Sequence, residues 1–270
     1  MKNSFNHIIA CRIHITGLVQ GVGFRPFVYR MALKHHIHGS VENRNDGVHV
    51  LAEGSRNAID DFLESLRLEA PPASDITGII VHDTPVQNLQ DFRIVKSSNT
   101  SEEITRISPD IAVCNECLVD MKRQDHRINY PFINCTNCGP RFTIIQDLPY
   151  DRVMTTMEPF EMCPQCRAEY ENIEDRRFHA QPVACKHCGP TYSMIDDGHR
   201  ITNLYDILQV FGQKIREGSI VAIKGLGGFH LACDARNEEA VRKLRKSKQR
   251  DGKPFAVMFR DLTALEEYAY

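Results

Sequence analysis

Eight of the ten cysteines in this 270-residue chain fall into four Cys-x-x-Cys pairs, and nothing else in the sequence limits the fold as tightly. The pairs are Cys114/Cys117, Cys135/Cys138, Cys163/Cys166 and Cys185/Cys188. A two-residue gap lets one tight turn present two sulfurs to the same ion, and two such turns complete the thiolate tetrahedron that zinc prefers. Four protein ligands leave no open coordination position, so two structural Zn2+ ions are expected. Such ions can contribute on the order of 10 kcal/mol to folding. The pairs also repeat: the third and fourth follow the first and second at offsets of 49 and 50 residues. Gly-Pro follows the last cysteine of each copy, at Gly139-Pro140 and Gly189-Pro190. An acidic, arginine-containing stretch sits midway in each, at residues 125–127 and 175–177. The repeat favours local pairing, first with second and third with fourth; an interleaved pairing is the alternative. The glycine closing each knuckle is expected at positive φ. His126 and His179 stand nearby as surface or packing residues.

Cysteine pairs could also staple a secreted protein, but no export signal precedes them. Arg12 and His14 interrupt the only apolar run near the N-terminus, which is too short for a signal-peptide core. The pattern therefore reads as metal binding in a cytoplasmic chain. No apolar run approaches the ~18 residues of a membrane span. Cys11 shares a strand face with Ile9, Ile13 and Ile15 and reads as a small buried hydrophobe, as does Cys233. The net charge is −2, yet residues 242–253 carry seven Lys/Arg and one Asp, a local +6 that leaves −8 elsewhere. That excess fits a neighbouring anion such as a nucleotide or RNA, or a solvated helix face.

Around the cysteines lie two other compositions. Residues 7–16 alternate as a strand, Pro26 suits a helix start running to about residue 36, and Asn45-Asp46-Gly47 is a hairpin turn. A helix over 57–68 and strands at 76–82 and 92–95 complete the order β-α-β-β-α-β, a ferredoxin-like sandwich over residues 7–97. A polar linker at 97–103 precedes the cysteine module at 108–195. Residues 200–270 read as α/β. A helix around 204–216 leads to a strand at 220–223 and a glycine-rich turn at 225–228. A helix around 238–248 and a strand at 255–259 follow, and this last module reads as incomplete. The class is therefore α+β multidomain.

The loop Gln20-Gly21-Val22-Gly23-Phe24-Arg25 joins a strand to a helix. Its backbone N–H groups can cradle an anion at the helix N-terminus, with Arg25 adding a charged fork. A plain structural turn is the alternative reading of those residues alone.

Residues 17–25, Gly-Leu-Val-Gln-Gly-Val-Gly-Phe-Arg, resemble the acylphosphatase signature, and Gly39-Ser40-Val41-Glu42-Asn43 resembles its second motif. The resemblance implies that Arg25 and the loop amides hold phosphate while Asn43 orients the attacking water. Residues 224–234 and the run from Lys246 to Met258 resemble the start of a YrdC-type nucleotide-binding domain. That likeness implies phosphate contacts from Lys224, Lys248, Arg250 and Lys253. Ser247 and Gln249 depart from it, standing where basic residues are expected. The three modules in this order, with residues 134–141 and 176–182, resemble the HypF family of carbamoyltransferases in [NiFe]-hydrogenase maturation. The implied architecture is an acylphosphatase sandwich, a zinc-ribbon-like module with two four-cysteine sites and an incomplete YrdC-like domain. The implied chemistry is hydrolysis of carbamoyl phosphate, then carbamoyl-adenylate formation from ATP with Mg2+. Transfer to a cysteine of the partner HypE follows, through a further domain. On this reading the present residues retain the acylphosphatase-like step and zinc binding. Two other classes compete: a zinc-dependent RNA-binding module, and a zinc-held scaffold for partner docking.

Overall fold

The computed structural model describes residues 8–98, 104–225, 228–250 and 252–269. Most of the expected linker, and Leu226 and Gly227 of the expected glycine-rich turn, lie outside these residues. The chain divides into two compact units, Met1–Pro190 and Thr191–Tyr270.

In the first unit, strands β1 (Ile8–Leu18), β2 (His38–Arg44), β3 (Gly47–Ser55), β4 (Asp75–Thr84) and β5 (Phe92–Ile94) form one sheet in the order β4-β1-β3-β2-β5. Every pairing is antiparallel except β2 with β5. Alternation sends Cys11, Ile13 and Ile15 inward and Arg12, His14 and Thr16 outward. Helices α1 (Phe24–Lys34) and α2 (Arg56–Leu68) supply the other half of the core, with Phe24, Val28, Phe62 and Leu66 each buried. This is the ferredoxin-like, acylphosphatase-type sandwich, extended by the short β5. Helix α2 begins where Ser55 Oγ accepts the Ala58 amide at 3.3 Å, satisfying one of the free donors of the first turn. Helix α1 starts at Phe24, two residues ahead of Pro26. Proline is tolerated there because the first-turn amides need no intrahelical acceptor. Burial pushes the Cys11 thiol up to about 11, so it sits in the core as a neutral group.

The rest of the unit holds helices α3 (Asn115–Arg123) and α4 (Pro164–Glu171), each entered through the first cysteine of a copy, Cys114 or Cys163. The sequence repeat becomes a reciprocal exchange. Arg127 of the first copy donates from Nη2 to Glu169 at 2.5 Å and from Nε to the Ala184 carbonyl at 3.1 Å, both in the second copy. Arg177, its counterpart, donates from Nη2 to Asp120 at 2.6 Å and from Nε to the Asn134 carbonyl at 3.2 Å, both in the first. The backbone repeats the trade: the Thr136 amide reaches the Arg176 carbonyl and the Lys186 amide the His126 carbonyl, each at 3.2 Å. Equivalent residues thus exchange equivalent bonds, the signature of a two-fold relation. Arg127 is fully buried and Arg177 nearly so, and a buried guanidinium is tolerated only with a paired carboxylate.

The second unit contains the hairpin β6 (Met194–Asp196) and β7 (His199–Ile201), helix α5 (Leu204–Arg216) and the antiparallel pair β8 (Val221–Lys224) and β9 (Phe229–Ala232). Helices α6 (Glu238–Ser247) and α7 (Leu262–Glu266) follow. Asn203 and Asn237 cap α5 and α6 through their side-chain oxygens. The strand expected at 255–259 does not form: those residues are irregular and Met258 is 97% exposed. An apolar run becomes a strand only when a ladder partner takes its backbone groups. Cys233 is half-buried rather than buried as expected. Among the described residues no helix is long and apolar enough to cross a membrane.

Removing the Glu169 carboxylate would strand Arg127. Glu169→Ala is expected to cost about 3–5 kcal/mol, measured by denaturant unfolding. Arg167→Ala, removing a guanidinium whose side chain is half exposed, should change stability by less than about 1 kcal/mol.

Candidate functional site

The four pairs assemble locally. Cys114, Cys117, Cys135 and Cys138 form one cluster, and Cys163, Cys166, Cys185 and Cys188 the other. In the first, Sγ separations are 3.8 Å for Cys114–Cys135 and 3.6 Å for both Cys135–Cys138 and Cys117–Cys138. In the second, Cys163–Cys185 is 3.7 Å and Cys185–Cys188 is 3.8 Å. A regular tetrahedron with Zn–S near 2.3 Å has edges of about 3.8 Å, so both clusters fit zinc. The hydrogen bonds that the sulfurs share push Cys138 down and Cys117 up. Sulfurs this close share protons unless a cation replaces them. Arginines from the opposite copy add positive charge: Arg176 Nη1 lies 3.1 Å from Cys117 Sγ, and Arg127 Nη2 lies 3.3 Å from Cys166 Sγ. A dication with four thiolates keeps surplus negative charge, and these donors stand where that charge would be. His126 faces Glu169 at 3.3 Å and His179 packs against Tyr170 and Phe178.

The closing glycines differ from expectation. Gly139 takes φ +98, but Gly189 does not adopt positive φ. Glycine is required at 189 because a Cβ there would lie 2.0 Å from Tyr130 Oη.

The anion loop lies against this module. Gly21 and Gly23 hold φ +73 and +76, turning the chain into α1. Val22 is buried in the core, Phe24 is buried beside the loop, and Arg25 is 7% exposed. Gln20 clamps the cradle, donating to the Arg44 and Gly47 carbonyls at 2.5 and 3.0 Å while accepting the Tyr150 amide at 2.9 Å. Asn43, on β2, is 2% exposed. Its Nδ2 reaches the Tyr150 carbonyl at 3.5 Å, and its buried Oδ1 has no partner among the described atoms. Arg25 and Asn43 face one cavity of about 30 Å3, enough for a water or two. Thr136, Arg141, Tyr150, His179 and Gln181 of the cysteine module close it from the other side. Gly23 permits that approach, since a Cβ there would meet Thr136 Cγ2 at 2.8 Å. Arg141 Nε donates to the Gly21 carbonyl. Arg25 Nη2 pairs with Asp151 at 2.6 Å and with the Tyr150 carbonyl at 3.2 Å, and Nη1 with Ser97 Oγ at 3.1 Å. Sequence reasoning missed these module residues, because contacts across 125 positions leave no local pattern.

In the second unit, Lys248 caps α6, and Arg245 Nη1 gathers the next turn by donating to the Arg250 and Lys253 carbonyls at 3.0 and 3.1 Å. Arg245 and Arg250 both stack on Phe255. Lys248, Arg250 and Lys253 therefore belong to one basic turn. Lys224 ends β8, its ammonium 5.3 Å from the Phe229 ring.

Residues 11–94 match the acylphosphatase family model, residues 113–145 and 162–195 the HypF finger, and residues 213–270 the telomere recombination family. A carbamoyltransferase HypF from Rhodobacter capsulatus is 46% identical over 257 residues, covering 93% of this chain and 33% of that protein. An acylphosphatase from Thermotoga maritima is 41% identical over 86 residues, covering 32% of this chain and 94% of that protein. The crystal structure of a full-length HypF in phosphate- and nucleotide-bound form superposes with a TM-score of 0.89 at 44% identity. It covers all of this chain, and this chain covers 35% of it. The chain thus spans about a third of the length of the HypF relatives it matches.

Two outcomes are expected. Metal analysis of the reduced protein should find two zinc ions per chain, and Cys117→Ser should lower that content and the midpoint of thermal unfolding. Burial pushes His179 down to about 4, below its ordinary value near 6.5. Between those values the unfolded chain takes up a proton that the folded chain refuses, so this contribution to stability is lost as pH falls from about 6.5 to about 4. His179→Asn should flatten that part of the stability–pH curve; Asn129, its repeat counterpart, already holds the same positive φ, 57° against 54°.

Proposed function

This chain belongs to the HypF carbamoyltransferase family, and from that premise we propose that its sandwich domain hydrolyses carbamoyl phosphate to carbamate and phosphate. The observation that carries this reading is the convergence of Arg25 and Asn43 on one cavity, with the Asn43 Oδ1 acceptor left free. The Arg25 guanidinium and the loop amides would take the phosphoryl oxygens, and Asn43 Oδ1 would hold a water by one of its protons. That water attacks phosphorus. The bond from phosphorus to the acyl oxygen breaks, and carbamate leaves as an anion. No protein nucleophile is needed; the rate comes from positioning and from stabilising charge on the phosphoryl oxygens.

In the longer family members, the second unit's fold would continue into a cleft that joins carbamate to ATP with Mg2+, giving carbamoyl-adenylate. Lys224, Lys248, Arg250 and Lys253 are the proposed phosphate contacts. The carbamoyl group would then pass to the HypE cysteine in the cytoplasm. The eight cysteines are the proposed zinc ligands, and the ions serve as structural anchors. The competing RNA-binding reading is weakened in the module, where Arg127, Arg141 and Arg177, three of its seven arginines, are all 2% exposed or less and out of reach of a phosphate backbone.

Phosphate release from carbamoyl phosphate tests the reading. Arg25→Ala should abolish detectable binding and turnover. Asn43→Ala should leave KM near the wild-type value and lower kcat by about 100-fold or more. Equal turnover in all three proteins would eliminate the proposal.

A further inference from the structure

The arginine assigned to phosphate already holds an anion from its own chain. Asp151 lies 2.6 Å from Arg25 Nη2, with its side chain 20% exposed and that of Arg25 8%. The same nitrogen also donates to the Tyr150 carbonyl, and the other terminal nitrogen to Ser97. Both terminal nitrogens therefore already have acceptors from the protein. The segment that fills it is held on both flanks: the Tyr150 amide is bound by Gln20 of the cradle, and the Arg152 amide by Gln181 Oε1 at 2.8 Å. Arg152 itself donates to the Gln181, Val183 and Phe160 carbonyls. This is a placed carboxylate, set by the cysteine module against the anion loop of the sandwich.

We propose that Asp151 is a specificity-determining residue of the acyl phosphate site, an internal carboxylate that competes for Arg25 and admits only an anion able to outbid it. The proposal rests on the reading of Arg25 as the phosphate ligand. A monoanion such as acetate offers Arg25 no more charge than Asp151 does and arrives without the advantage of being tethered. A phosphoryl dianion offers more charge and, in addition, three oxygens for the loop amides. Displacement turns the Asp151 carboxylate away from Arg25 while the Gln20 and Gln181 contacts keep the flanking amides in place. Small monoanions, abundant wherever metabolism runs, are thereby kept out of a pocket that an open guanidinium would offer them.

The test is titration of the full chain with inorganic phosphate and with acetate, comparing wild type, Asp151→Asn and Asp151→Glu. Asp151→Asn should bind phosphate about tenfold more tightly or better, become inhibited by acetate, and show a lower KM for carbamoyl phosphate without a rise in kcat. Asp151→Glu, which restores the charge, should return acetate resistance. Phosphate affinity that is unchanged or weaker in Asp151→Asn overturns the proposal, because Asp151 would then be supporting Arg25 and not competing for it. Tighter phosphate binding with no hydrolysis of carbamoyl phosphate in any variant would uphold the competition and defeat the proposed function. If Asp151→Asn does not fold, Asp151→Ala and the side-chain carboxyl carbon-13 shift of Asp151 in the wild type decide: saturating phosphate should move that shift while acetate leaves it in place, and a shift unmoved by phosphate rejects displacement.

Discussion

Two ion pairs built on buried arginines, Arg127 with Glu169 and Arg177 with Asp120, hold the two copies of the cysteine module together, and the wall that the module sets against the anion loop depends on that join. Each pair joins a turn in one copy of the repeat to a helix in the other. The same arginines reach backbone carbonyls beside the opposite cysteine knuckle, at Ala184 and Asn134. A segment this polar has little apolar surface to bury. Around the first thiolate cluster only a handful of apolar side chains gather, among them Tyr130, Ile133 and Met157. Charge pairing and metal-type ligation do the work that leucine and valine do in the sandwich.

The module is more than a spacer. Its residues from Thr136 to Pro182 wall the cavity at the anion loop, and Arg141 and Tyr150 hydrogen-bond that loop directly. Glycine at position 23 makes the approach sterically tolerable. The acylphosphatase relatives consist of the sandwich alone over nearly their full length. Here the same cradle is roofed by a second structure, and that roof separates this site from theirs.

Some of this was legible in the residues. Cysteine spacing announced two four-sulfur clusters, since ligand geometry is a short-range property, and the repeat favoured the local grouping over an interleaved one, which the clusters bear out. Alternation in Ile9–Ile15 announced a strand, and Gly21 and Gly23 announced the loop. What escaped was non-local. The repeat was visible as matched spacing, but spacing cannot say whether matched arginines turn inward or across. Gly189 looked like a conformational glycine and proved to be a steric one, set by Tyr130. The run at 255–259 had the composition of a strand and has no ladder partner among the described residues. Asp151 carried no signal, because a carboxylate beside a tyrosine means nothing until Arg25, 126 positions earlier, is beside it in space.

The exchanged arginines also bear on how the chain is made. Arg127 leaves the ribosome well before its acceptor Ala184, 57 residues later. At about 5–20 residues per second that gap lasts roughly 3–11 s. Until it closes, a guanidinium destined for full burial stays in solvent, and the first copy of the repeat cannot finish. The nascent sandwich meets an interval of the same order, since Tyr150 follows Ile94, the end of the last strand of the sheet, by 56 residues. The polypeptide must therefore present an open anion cradle to the cell before its own roof has been synthesised.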